Sequence, residues 1–204
     1  MKTFRELVAT ERPLVLPGAH DALSALLIQQ AGFDAYFIGG FRVAGVRYGL
    51  PDIGLLGARE FADAYRDIMG VSKLPVLVDA DNGYGDHKNV VHVVHTLERL
   101  GAQALFFEDQ VSPKRCGHID VPLLANMLEG GRTPIPRPVE LEALGFRIVI
   151  YGISLLMRVT RTMQETLKDI REGELKLTGT GVSFEEYKNI VGMREWSRID
   201  DQYR

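Results

Sequence analysis

Six short apolar runs, each closing on small or acidic residues and separated by segments of helical periodicity, limit this chain's possible folds more than any other feature. The runs are Leu14 to Gly18, Ala35 to Gly39, Pro75 to Asp81, Ala104 to Asp109, Pro122 to Leu128 and Phe146 to Gly152. Apolar runs alternating with helical stretches specify a parallel sheet assembled from strand-helix units. Several are apolar almost throughout, as strands covered on both faces must be. Between them apolar residues recur at three and four: Leu23, Leu26 and Leu27; Phe61, Tyr65 and Ile68; Val90, Val94 and Leu97. Gly32, Gly70 and Gly101 follow these segments where a left-handed C-terminal cap is wanted. After the last run an amphipathic stretch covers Ser154 to Glu172, and Ser183 with Glu186 forms a capping box that opens a final short helix. Residues 1–152 are thus expected to form the α/β part and 153–204 a C-terminal helical arm.

The spacing contains one anomaly. Only Gln110 to Val121 separate the fourth run from the fifth, whereas Gly40 to Leu74 separate the second from the third. A parallel crossover needs about 10 to 12 residues at the least and normally includes a helix. Gln110 to Val121 carries Pro113, Gly117 and no helical periodicity, so something that a parallel crossover normally includes is absent there.

Composition narrows the function classes. With 24 Lys and Arg against 27 Asp and Glu, the formal charge of −3 excludes a simple electrostatic nucleic-acid binder. Cys116 is the single cysteine, so an intramolecular disulfide framework is excluded and a reducing, cytoplasmic setting is expected. No apolar run approaches the roughly 20 residues that span a bilayer, and the N-terminal residues lack the apolar core of an export signal. Neither nucleic acid nor membrane is an expected partner.

In parallel α/β folds ligands bind at the carboxyl ends of the strands, and here those ends are acidic. Val78-Asp79-Ala80-Asp81 closes the third run and Phe107-Glu108-Asp109 the fourth. Strand alternation would place Asp79 and Asp81 on one side, about 7 Å apart. Such a carboxylate group suits a hard divalent cation, Mg²⁺ or Mn²⁺, although the same acids could cap helices or pair with basic residues. Lys114-Arg115-Cys116-Gly117-His118 lies in a loop after the fourth run. Neighbouring cations favour a thiolate, so Cys116 is a candidate catalytic acid or base, although a cysteine in a basic loop is more often inert than catalytic. His87, His92 and His95 do not have the HExxH spacing, and Asp81 to Gly85 is a two-glycine turn and not a dinucleotide fingerprint. Gly39, Gly40 and Asp52 could line the same mouth, or mark two ordinary turns.

Taken in order, PGAHDALSA, GLPDIGLL, LPVLVDADNGYG, FFEDQVSPKRCGH, PLLANMLEGGRTP and FRIVIY with the long segment after it resemble the isocitrate lyase and phosphoenolpyruvate mutase superfamily. The KRCGH loop is similar to that of its carbon-carbon lyases, of the methylisocitrate lyase and dimethylmalate lyase type. The resemblance implies a TIM-type (β/α)8 barrel, here incomplete with six parallel strands, and a C-terminal arm exchanged between subunits of a homo-oligomer, dimer or tetramer. It implies Mg²⁺ (or Mn²⁺) at Asp79, with Asp81 and Glu108 acting through water. Gly39, Gly40, Phe41, Asp52, Gly117 and Asn126 would bind a small carboxylic acid such as pyruvate or a 2-hydroxy dicarboxylate. Cys116, with Lys114 and His118 in its loop, would serve catalysis. The implied activity is Mg-dependent cleavage of a 2-hydroxy di- or tricarboxylate, 2-methylisocitrate-like, to a 2-oxo acid and a dicarboxylate through an enolate.

Two departures qualify that expectation. Members usually carry Ser at the position of Gly39, a small residue at that of Phe41 and Pro at that of Gly152. The fifth and sixth strand-helix units have no counterpart, and with them go a substrate-binding arginine and a glutamate. A catalytically impaired assembly or regulatory subunit is the rival reading; an oxaloacetate decarboxylase or phosphonomutase type is another.

Overall fold

The computed structural model describes residues 2–10, 12–107, 122–131 and 134–202. It divides into two compact units, Met1–Leu155 and Leu156–Arg204. In the first, α1 (Phe4–Val8) precedes β1 (Leu14–Ala19), α2 (Ala22–Gln30), β2 (Tyr36–Ile38), α3 (Gly40–Val43) and α4 (Ala58–Met69). Then come β3 (Val76–Asp79), α5 (His87–Leu100), β4 (Ala104–Phe106), β5 (Leu123–Asn126), α6 (Pro138–Ala143) and β6 (Phe146–Tyr151). One π-helical turn, Ala44–Tyr48, follows α3 and ends at Gly49, whose φ of 64° needs a residue without a Cβ. The long α7 (Ser154–Glu172) contains the division between the units, and α8 (Phe184–Ile190) and α9 (Met193–Gln202) complete the second.

All six apolar runs contain strands, whose ends differ from those of the runs by up to three residues. They form one parallel sheet in the order β4-β3-β2-β1-β6-β5. Among the described residues β4 and β5 stand at its two ends, each paired on its inner side only and not to the other. The fold is therefore α/β, an incomplete TIM-type barrel of six parallel strands.

Alternation along each strand sorts the core into two faces. Leu14 and Leu16 of β1, Phe37 of β2, Leu77 of β3 and Ile148 and Ile150 of β6 pack together on the inner face, where Phe4 and Leu7 of α1 join them. Ala19, Tyr36, Ile38, Val76 and Val78 face outward against Ala25 and Ile28 of α2, Phe61 and Tyr65 of α4, and Val93 and Leu97 of α5. Ala125 and Val149 pack with Leu141 of α6.

Two local expectations are corrected. Leu23 and Leu27 do not form the buried stripe of α2; they are exposed, and Ser24, Ala25 and Ile28 are buried instead. Small residues let this helix approach the sheet closely, and Ser24 is held by a reciprocal capping box with Asp21. Gly32 and Gly101 do adopt positive φ, but Gly70 caps α4 in the right-handed region (φ −63°). It continues the helical geometry, with its N–H bonded to the Arg66 carbonyl at 2.9 Å. In the second unit the Ser183–Glu186 capping box is present. The chain beyond it forms two helices where one was expected, with Gly192 at φ 75° between them. No helix among the described residues is long and apolar enough to cross a membrane.

The two faces make a quantitative contrast. Leu16 is fully buried, and Leu16→Ala should cost about 2–5 kcal/mol in denaturant unfolding. Leu23→Ala, on the exposed side of α2, should cost about 0.5 kcal/mol or less. Equal losses would show that the face assignment of α2 is wrong.

Candidate active site

Because every strand is parallel, the residues closing β1, β2, β3 and β6 share one mouth. The alternation that buries Leu16, Phe37, Leu77 and Ile150 brings Gly18, Gly39, Asp79 and Gly152 to the inner side at that end. The layer is thus three glycines and one carboxylate.

Asp79 is held by backbone. Its Oδ2 accepts the Gly40 N–H at 3.2 Å and its Oδ1 accepts the Asp81 N–H at 2.9 Å, while the Tyr65 hydroxyl donates to its carbonyl at 3.0 Å. Asp81 is no longer strand, as the alternation had suggested. β3 ends at Asp79, and Asp81 takes a left-handed φ of 51° to open a tight turn in which Gly83 donates to the Ala80 carbonyl at 2.9 Å. Tyr84, at φ 59°, is a second non-glycine residue in that region. Strained conformations of this kind are retained where surrounding structure enforces them, typically at functional sites.

Asp79 and Asp81 meet again across a cavity of about 290 Å³ lined by Gly40, Asp52, Gly54, Asp79, Asp81 and Asn82. Burial pushes the Asp79 carboxyl above the ordinary carboxylate range, with Asp81 adding to the rise. The two backbone N–H donors and Arg42 pull in the opposite direction. Asp52 is raised as well, by partial burial, then by Asp81 and Asp79. Tyr84, stacked obliquely on Phe61 at 5.9 Å, is pushed far up by burial and by the same three carboxylates and stays protonated. A larger hollow of about 540 Å³ lies between α4 and α5, lined by residues such as Phe61, Tyr65 and His92. It lacks converging carboxylates, so the smaller cavity is the chemical one.

Of the residues named from sequence, Gly40, Asp52, Asp79 and Asp81 line this cavity. Gly39 sits beside it. Phe41 is 48% exposed on α3 and does not line it. Asn126 ends β5, its Oδ1 3.2 Å from where a Cβ on Gly152 would stand. Glu108, Lys114, Cys116, Gly117 and His118 lie outside the described residues. His87, His92 and His95 are exposed on α5.

The donors fit a hard divalent cation. They are carboxylate oxygens in a polar cavity, Asp79 keeps a free lone pair on each oxygen beyond its two backbone bonds, and a cation would relieve the repulsion that raises Asp52 and Asp79. Among the described residues, however, no three His, Cys, Asp or Glu side chains already stand in a ligating cluster.

Arg42 escaped the sequence reading. Its side chain is 2% exposed, Nη1 donates to the Gly152 carbonyl, Nη2 has no partner among the described residues, and the guanidinium lies 4.6 Å from the centre of the Phe37 ring. Burial pulls its pKa down to about 10, against Tyr65 and Asp79, so it remains charged at pH 7. His20, buried nearby with Nδ1 unpartnered, is held neutral by burial.

Carboxyls raised on folding bind their protons more tightly in the folded than in the unfolded chain. Their contribution favours folding below the unfolded pKa of about 3.9 and becomes a cost as pH climbs through the raised folded value. In a chelator at pH 7, Asp52→Asn should therefore raise the melting temperature, and the gain should vanish towards pH 4. A variant that melts at or below the unsubstituted protein at pH 7 would show that the carboxylates do not repel one another.

A family model described as phosphoenolpyruvate phosphomutase matches residues 4–128. The chain is 28% identical to the 2,3-dimethylmalate lyase of Eubacterium barkeri, covering 98% of this chain and 96% of that one. The alignment runs over 279 positions, more than the 204 residues available, so a segment of that relative has no counterpart here. A 2-methylisocitrate lyase from Halalkalibacterium halodurans is 41% identical over 57% of this chain and 39% of its own. The solved structure of a phosphonopyruvate hydrolase complexed with oxalate and Mg²⁺ has the same fold, with a TM-score of 0.80 at 19% identity over 98% and 97% of the two chains. The chain belongs to the phosphoenolpyruvate phosphomutase family, within the superfamily of phosphoenolpyruvate mutases and isocitrate lyases.

Proposed function

We propose that the protein is a divalent-cation-dependent carbon-carbon lyase acting on a small 2-hydroxy di- or tricarboxylate, 2-methylisocitrate-like. The observation that carries this reading is the convergence of Asp52, Asp79 and Asp81 on one cavity at the carboxyl ends of a parallel sheet. The named lyases among its relatives support the reaction class.

Asp79, with Asp81 and Asp52, would hold Mg²⁺ or Mn²⁺, and Glu108 would contribute through water. When bound, such a cation supplies Lewis-acid stabilisation to negative charge developing on a 2-oxo acid. The Gly39–Gly40 backbone, pinned to Asp79 by the Gly40 N–H, would lie beside a bound substrate carboxylate. Tyr65, whose hydroxyl donates to the Asp79 carbonyl, and Tyr84 both stay protonated beside the site. Asn126 would contact substrate from the β5 end. Cys116, its thiolate favoured by Lys114 and Arg115, would exchange a proton with the dicarboxylate product, with Gly117 and His118 completing the loop.

The second unit supports a homo-oligomer. Met163, Leu167, Ile170, Phe184 and Trp196 are exposed apolar side chains there, more than an isolated polar arm would carry. We assign 153–204 to an arm exchanged between subunits, and light scattering at micromolar concentration should give a mass above that of one chain.

The rival, an assembly or regulatory subunit, is favoured by one feature: among the described residues β4 and β5 end the sheet without pairing to each other. Turnover decides between them. With Mg²⁺, at least one of 2-methylisocitrate, 2,3-dimethylmalate, isocitrate and oxaloacetate should release a 2-oxo acid or a dicarboxylate, and Cys116→Ser should reduce the rate roughly 10²- to 10⁴-fold. A folded protein inactive on all four would favour the rival.

A further inference from the structure

Arg42 is placed as no surface cation would be. It leaves the first turn after β2 and turns inward over the mouth, where glycines stand at or just beyond the ends of β1, β2 and β6. A Cβ on Gly18 would overlap Nη1 outright, and one on Gly39 would stand 2.8 Å from Nη2. Gly152 supplies the single carbonyl that Nη1 reaches. Gly18 of β1 and Gly39 just after β2 thus clear the volume that this guanidinium fills, and Gly152 just after β6 contributes its carbonyl.

A buried guanidinium with an unmade donor is costly unless something pairs it. The Gly152 carbonyl satisfies Nη1 and the Phe37 ring stacks on the cation, but Nη2 has neither. Gly39, whose Cβ position lies 2.8 Å from Nη2, adjoins Gly40 in the cavity lining, and Asp79 of the same lining interacts electrostatically with Arg42. Charge points the same way. Three carboxylates are balanced by one divalent cation and one guanidinium together; without Arg42 the loaded mouth would stay negative and repel an anion.

We infer that Arg42 is a substrate-recognition residue, whose Nη2 takes a carboxylate oxygen of a small dicarboxylate bound at the Asp52, Asp79 and Asp81 cavity. The inference rests on the proposed function for the identity of the site, and it adds a binding group from this chain's own first strand-helix units.

Isothermal titration of oxalate tests it, on the unsubstituted protein, Arg42→Met and Arg42→Lys, each with saturating Mg²⁺ and again in a chelator. Arg42→Met replaces an incompletely paired buried charge by an apolar chain of similar length and should fold; Arg42→Lys keeps the charge but loses the fork. Arg42→Met should bind Mg²⁺ alone at least as tightly as the unsubstituted protein, yet lose about tenfold or more in oxalate affinity, the size expected for a charge-assisted hydrogen bond. Arg42→Lys should fall between. Oxalate affinity within twofold in Arg42→Met overturns the inference, and so does a parallel loss of Mg²⁺ and oxalate, which would mark Arg42 as a packing residue only. If the unsubstituted protein binds no Mg²⁺ but binds oxalate in an Arg42-dependent way in chelator, the cation reading falls and the Arg42 assignment stands. Absence of oxalate binding under both conditions overturns the assignment.

Discussion

A sheet whose strands all run the same way has all its carboxyl ends on one side, and the rest of this molecule's chemistry depends on that constraint. The crossovers from β1 to β2, β2 to β3, β3 to β4 and β5 to β6 each return the chain to the opposite end through helix, so these loops leave from the same mouth. The period of two along each strand then decides which closing residues face inward. That is how Gly18 of β1, Gly39 after β2, Asp79 of β3 and Gly152 after β6, far apart in sequence, come to share one layer. Sheet order places β2 and β3 side by side, and this neighbourhood lets the Gly40 N–H reach the Asp79 carboxylate.

The mouth is less stable than its surroundings by construction. Asp52 and Asp79 are raised by burial and by like charge, Asp81 and Tyr84 sit at left-handed φ, and Arg42 buries an unpaired donor. Each would be a defect in a core built only for packing. Together they describe a site with carboxylates and one guanidinium held at fixed positions, arranged to gain free energy when ions of opposite sign are bound.

Much of this was legible in the residues. The six strands announced themselves as continuous apolar runs, because strands covered on both faces leave no room for polar alternation. Asp79, Asp81 and Asp52 could be picked out as acids at strand ends and in turns. Other features depended on distance rather than pattern. In α2 the leucines mark the apolar period more strongly than Ser24 and Ala25, yet close packing on the sheet selects the small residues. Asp81 leaves the strand because Gly83 and Gly85 permit a tight turn that strand periodicity does not register. Arg42 reads as an ordinary solvated helix cation, since its burial depends on Gly18 and Gly152, which no local window includes. The loop from Gln110 to Val121 signalled an interrupted barrel by its length alone, and the sheet indeed ends at β4 and β5 among the described residues.

The central claim is that the three aspartates form a divalent-cation site, and Mn²⁺ electron paramagnetic resonance tests it most directly, because bound Mn²⁺ loses the sharp signal of the free ion. The account predicts one saturable Mn²⁺ site per chain, displaced by Mg²⁺ and abolished by Asp79→Asn in a protein that still melts cooperatively. Retention of the full free-ion signal by the unsubstituted protein, or equal Mn²⁺ binding by Asp79→Asn, would contradict it.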